Sequence, residues 1–188
     1  MAGNDWPAVL LDGDGVPQLG DLLRRYHESV RSFQIPPHAQ WRNPLAPKSS
    51  ELVRHGDFSP FNTVWSENRV VGVIDWDFAQ PGEAISDLAY LARYAVPFTP
   101  DARARMFGFE TGMNRASRLE VLCHAYGNHT PREVVEETVR IIEVERSQTA
   151  ELARRGLQPW VGFVAHGNLE AFAAEVNWIR QNQHLLVR

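Results

Sequence analysis

The sequence predicts an α+β fold that is predominantly helical and carries one small β-hairpin. Apolar residues recur at helical spacing near both ends of the chain, and two short β-branched runs flank a polar turn in its middle. Nothing alternates strand with helix as a parallel sheet would require. The 188 residues, 44% of them hydrophobic, suffice to bury the core of a single domain.

Residues 1–16, rich in Gly and Asp, read as an irregular segment. From Pro17, the residues Leu19, Leu22, Leu23, Tyr26, Val30 and Phe33 fall on one helical face, with the proline near the start where its missing N–H costs nothing. Pro36, Pro37, Pro44 and Pro47 exclude helix or central strand and predict a surface loop. "NTVW", "SEN" and "RVVGVID" then read as strand, turn and strand, the second strand ending on Asp75. "EAISDLAYLARYAV" reads as a helix turning Ile85, Leu88, Ala89, Leu91 and Ala92 inward. Thr130-Pro131-Arg132-Glu133 is a capping box with proline at the first helical position, and its helix should stop at Gly156. A last helix follows, with Asn168 as its expected cap and Phe172, Val176, Ile179 and Gln183 along one face.

Composition narrows the function. Nineteen Lys and Arg against 23 Asp and Glu give a net charge of -4, which offers no broad basic surface for nucleic acid or anionic lipid and suits a cationic small substrate. One cysteine, Cys123, excludes an intramolecular disulfide and a cysteine-based zinc cluster, so a reducing cytoplasm is the expected location. No apolar stretch approaches the length of a membrane span.

The stretch "HGDFSPFN" concentrates the chemistry. Asp57 precedes Asn62 by five positions, and Asp75 follows across the hairpin at the end of an apolar strand. Phosphoryl transfer uses such a set: a loop carboxylate takes the substrate hydroxyl's proton, while an amide and a second carboxylate give a hard cation its oxygen ligands. Strand-end "DWD" also suits a phosphatase nucleophile, but the helical remainder lacks the βαβ chain which that fold needs.

"HGDFSPFN" followed by "VVGVIDWDFAQPGEAISDLAY" resembles the aminoglycoside phosphotransferase family and its choline-kinase and homoserine-kinase relatives, strongly over residues 51–94. "LGDLLRRYHESV" is similar to the helix preceding the loop in bacterial members. The resemblance implies a protein-kinase-like C-terminal lobe, a phosphotransferase activity with ATP or GTP and Mg2+, and a small-molecule hydroxyl as acceptor. It assigns the catalytic base to Asp57, metal binding to Asn62 and Asp75, and support of the catalytic loop to His55 and Asp87. Asp77 stays open between a second metal, the substrate and a turn cap. Trp160, His166 and Glu170 lie where the family builds its acceptor pocket, although an aromatic residue among apolar ones is ordinarily core.

Family members begin with an N-terminal lobe that covers the nucleotide and supplies a strand lysine and its glutamate partner. The residues before Leu19 do not hold such a lobe, and Lys48, the sole lysine, lies in the proline-rich loop close before Asp57. The expectation is therefore a C-terminal lobe spanning 1–188, with a catalytic core at 51–94 and a helical substrate-side subdomain at 95–188. Its activity would be impaired, or would depend on a separate chain carrying the missing lobe or on a homodimer. The alternative is a non-catalytic binding or regulatory lobe. A natural fragment, a split gene, a mis-assigned start and lost catalysis all remain open.

Overall fold

A computed structural model describes residues 6–188. The chain runs α1 (Ala8–Asp12), α2 (Val16–Val30), β1 (Leu52–Arg54), β2 (Thr63–Ser66), β3 (Arg69–Val73), β4 (Gln80–Gly82) and α3 (Ala84–Ala95). It continues through α4 (Asp101–Ala104), α5 (Arg115–Tyr126), α6 (Pro131–Arg154), α7 (Trp160–Ala165) and α8 (Asn168–Gln181). The mainly helical α+β composition is thus observed. Among the described residues no helix is long and apolar enough to cross a membrane.

The core lies between helices. Leu19 and Leu23 of α2 meet Leu119 and Leu122 of α5, while Leu88 and Leu91 of α3 pack with Ile142 of α6 and Ile179 of α8, all fully buried. Burying each such side chain contributes roughly 1.5–3 kcal/mol, so these contacts set the helix positions from which the loops hang.

The strands form two separate two-stranded antiparallel sheets. β2 and β3 are the expected hairpin, and its turn residues Glu67 and Asn68 both take positive φ, the backbone that a tight two-residue hairpin needs. Sequence reasoning missed the second sheet: β1 pairs with β4, Leu52 opposite Gly82 and Arg54 opposite Gln80. Strands this short carry too little alternation to announce themselves. Their pairing clamps both ends of the stretch from the loop bearing Asp57 through the hairpin.

Several boundaries differ from the sequence reading. Residues 8–12 form a helix where an irregular segment was expected, closed by Gly13 at a left-handed φ. β3 ends at Val73, and Asp75 follows at φ 63 outside the strand. Ile85 is only half-buried. The α6 capping box is present, and α6 ends two residues before Gly156. Gly167 occupies the cap position of α8 and Asn168 is its first residue, while Gln183 lies beyond the helix in a short 3-10 turn. The proline-rich loop is tied down at Asn43, whose buried amide donates to Gln148 at 2.9 Å and to Gln80 at 3.3 Å.

Candidate active site

The loop between β1 and β2 gains its shape from groups on three other elements. Asp87, fully buried near the start of α3, accepts the His55 backbone N–H at Oδ2 and the Gly56 N–H at Oδ1. Its Oδ2 also faces His27 Nε2 of α2 at 3.2 Å. An ionised carboxylate only accepts, so that nitrogen carries the proton and His27 Nδ1 accepts from the Tyr126 hydroxyl at 2.8 Å. Burial alone would raise the Asp87 pKa, but the His27 hydrogen bond, the nearby Arg54 charge and the Gly56 amide overcome it and leave the carboxyl below the ordinary range.

Gly56 is required by its backbone. It sits at φ 83, and a Cβ there would collide with the Phe78 carbonyl group. The loop therefore passes against the segment after Asp75 with no room for a side chain. His55 links the same two segments: its Nδ1 accepts the Asp57 N–H at 3.2 Å, which leaves Nε2–H to donate to the Ile74 carbonyl at 3.1 Å. Ile74 N–H in turn donates to the Asn62 carbonyl at 2.9 Å.

These ties hold Asn62 against Asp57 and anchor the segment that leads to Asp75. Asn62 Nδ2 donates to the Asp57 backbone carbonyl and to Asp57 Oδ2, each at 2.9 Å. Both partners are acceptors, so the amide orientation is fixed and Asn62 Oδ1 is the atom turned away from Asp57. Burial raises the Asp57 pKa, the Tyr90 hydroxyl and the Asn62 amide lower it, and the charge of Asp75 is close enough to add an upward push. Asp75 itself is exposed. Asp77 is exposed as well and pairs with Nη1 of Arg42, a residue of the proline-rich loop, at 2.7 Å.

Beside Asp57 opens a cavity of about 410 Å³, walled by β4, α3, α6, α7, the start of α8 and the proline-rich loop. Asn62 and Asp75 do not line it, so Asp57 faces the cavity while its two oxygen-bearing neighbours stand apart from it. Trp160 lines the cavity from a buried position, whereas His166 and Glu170 are exposed and outside it. The wall also contains Tyr90, Tyr94 and Arg93, which sequence reasoning passed over. The Arg93 guanidinium is buried, gripped by Glu175 at 2.5 and 2.7 Å and by Glu145 at 3.0 Å, and it lies over the Tyr90, Tyr94 and Phe172 rings. A signal was present: Ser86, Tyr90 and Arg93 recur at helical spacing along α3, which marks one face as polar.

The residues fit a magnesium-bound nucleotide in their chemistry. Asn62 Oδ1 and the Asp75 carboxylate are hard oxygen donors, and Mg2+ takes one or two protein ligands with phosphate and water completing its shell. Among the described residues no three or more His, Cys, Asp and Glu side chains form a preformed metal cage.

The loop bearing the half-buried Asp57 is braced from a helical core, and an exposed aspartate follows the hairpin strand. Residues 13–121 match the phosphotransferase enzyme family known as APH, more than half of the chain, and the protein belongs to that family. It is 31% identical over 117 residues to the trifolitoxin immunity protein of Rhizobium leguminosarum bv. trifolii, a match covering 61% of this chain and 45% of that relative's length. The shared stretch thus spans less than half of the curated relative. No solved structure matches the chain.

Proposed function

We propose that the protein is a phosphotransferase that moves the γ-phosphoryl group of ATP or GTP to the hydroxyl of a small molecule held in the cavity beside Asp57. The observation that carries this reading is the Asn62 amide: it gives its N–H groups to Asp57 and turns its oxygen toward neither, so one side chain orients the acid and keeps a ligand atom for a cation.

In this reading Asp57 accepts the acceptor's proton as the hydroxyl attacks, and its raised pKa makes it a better base than an exposed carboxylate. Asn62 Oδ1 and Asp75 would hold Mg2+, which, when bound, neutralises charge on the nucleotide phosphates. Asp87 and His55 act through backbone groups, holding Asp57 in place. The cavity side of Asp57 receives the acceptor, and the exposed hairpin side, where Ile74 and Val64 are open to solvent beside Asp75, receives the nucleotide.

The named relative favours a biological setting for this chemistry: immunity to a toxin, with a toxin hydroxyl as the acceptor. A partner chain or a second copy covering the nucleotide side is part of the same proposal. Transfer of labelled γ-phosphate to a panel of hydroxyl compounds tests it. Turnover that vanishes in Asp57→Asn supports the assignment, and equal turnover in wild type and variant contradicts it.

A further inference from the structure

The cavity beside Asp57 carries three arginines, Arg54, Arg93 and Arg140, and they are not equivalent. Arg93 spends its donors on Glu145 and Glu175. Arg140 is held by both oxygens of Glu137, each at 2.6 Å. Among the described residues, the Arg54 guanidinium donates no hydrogen bond. Its closest acid oxygen is Asp87 Oδ1 at 4.0 Å, beyond hydrogen-bonding range, and Asp87 is already committed to the loop amides and His27. The Arg54 side chain is nonetheless only 17% exposed. The guanidinium is thus charge-balanced by Asp87 but keeps its hydrogen-bond donors free at the cavity wall, where an entering anion meets them.

The arginine is also held in place. It projects from β1, and Gly82, on the partner strand β4, has no room for a Cβ because the Cδ and Nε atoms of Arg54 lie against that backbone. Its aliphatic stem is therefore packed flat over the sheet, which reduces the entropy lost when the head group binds a partner. On the acidic side of the balance, Glu145 is engaged by Arg93, Glu83 is exposed, and Asp57 is assigned to the reacting hydroxyl.

We propose that Arg54 is an anion receptor in this cavity and that the acceptor carries a carboxylate, bound by the Arg54 guanidinium while its hydroxyl faces Asp57. The net negative charge of the whole chain favours a cationic ligand, whereas the hydrogen-bond donors that Arg54 keeps free at the cavity wall favour a hydroxy acid. The inference rests on the phosphotransferase reading only for the role given to Asp57; recognition of the anion by Arg54 stands without it. A planar guanidinium matches a carboxylate with two parallel hydrogen bonds, which lysine does not reproduce.

The test is calorimetric titration of the full chain with three polyols that differ at one end: gluconate, sorbitol and glucamine, bearing a carboxylate, an alcohol and an ammonium. Gluconate is expected to bind at least about tenfold more tightly than sorbitol, the change that one charge-assisted contact of ~1.4 kcal/mol brings. Arg54→Gln should erase that preference while circular dichroism shows a folded chain, and Arg54→Lys, which keeps a charge beside Asp87, should restore it only in part. Equal binding of gluconate and sorbitol, tighter binding of glucamine, no binding of any of the three at tens of millimolar, or a preference that survives in Arg54→Gln would each overturn the proposal. Titration with ATP and magnesium in parallel separates the two readings. Nucleotide binding without a gluconate preference rejects only the anion receptor, whereas a gluconate preference without nucleotide binding rejects only the phosphotransferase.

Discussion

Asp87 Oδ2 accepts the backbone N–H of His55 at 2.6 Å, so a carboxylate fixed in the helical core sets the backbone two residues ahead of Asp57. Core packing and site geometry meet at this bond. Replacing Asp87 with Asn turns one acceptor into a donor opposite two loop amides and His27. The expected loss is about 2–4 kcal/mol of stability, together with most of the activity, checked by denaturant unfolding and a transfer assay.

The same residue predicts a pH dependence. Its folded-state pKa lies below the ordinary carboxylate value, so the fold binds the ionised form more tightly than the unfolded chain does. The stabilisation is therefore complete above an ordinary carboxylate pKa of about 3.9 and disappears as the pH falls through and below it. Melting curves of wild type and Asp87→Asn should differ most near neutral pH and converge in acid. A gap that widens in acid would contradict the assignment.

Gly56→Ala should be poorly tolerated although it adds a single methyl group. The positive φ costs an L-residue about 1–2 kcal/mol, and the new Cβ meets the Phe78 backbone, which has no rotamer to move aside. We expect a lowered melting temperature and a larger proportional loss of turnover, since the loop moves before the core does. Full activity in the variant would show that the close approach to Phe78 is unnecessary.

Arg93→Met should destabilise by about 3–5 kcal/mol because it leaves Glu145 and Glu175 facing each other without their shared cation. Chemical denaturation of the single variant, and of a triple variant in which both glutamates are also made Gln, checks this. Recovery of most of the loss in the triple variant is the expected outcome.

How far the sequence could be read follows from the length over which each signal acts. The long helices α2, α3 and α6 were legible because their apolar spacing extends over three or more turns, and the α6 cap because a capping box is a local chemical device. The pairing of β1 with β4 was not legible: three residues on each side, separated by the whole hairpin, carry no period. Asp57, Asn62 and Asp75 could be singled out by motif spacing; Asn62 is hydrogen-bonded to Asp57, and Asp75 is near enough for its charge to act on Asp57. The cavity wall was hidden, since Arg54, Arg93 and Glu145 come from β1, α3 and α6, and only tertiary packing makes them neighbours. Asp77, left open between three roles by sequence, is engaged by Arg42 from a loop whose path no local pattern reveals.

Asp57→Asn should lower transfer by about 10²–10⁴-fold, the range for removing a general base, and leave the fold intact, because an Asn side chain oxygen at the same place still accepts from Asn62. Circular dichroism and the labelled-phosphate assay together check both halves.

Binding of a magnesium-bound nucleotide at the face bearing Asn62 and Asp75 is tested most directly by calorimetric titration of the 188-residue chain with ATP, with and without magnesium, in wild type and Asp75→Ala. The expected result is binding that requires magnesium and is weakened at least about tenfold in the variant, the loss of roughly one charge-assisted contact. Binding that is indifferent to magnesium and unchanged by Asp75→Ala, or no binding at millimolar nucleotide, would contradict it.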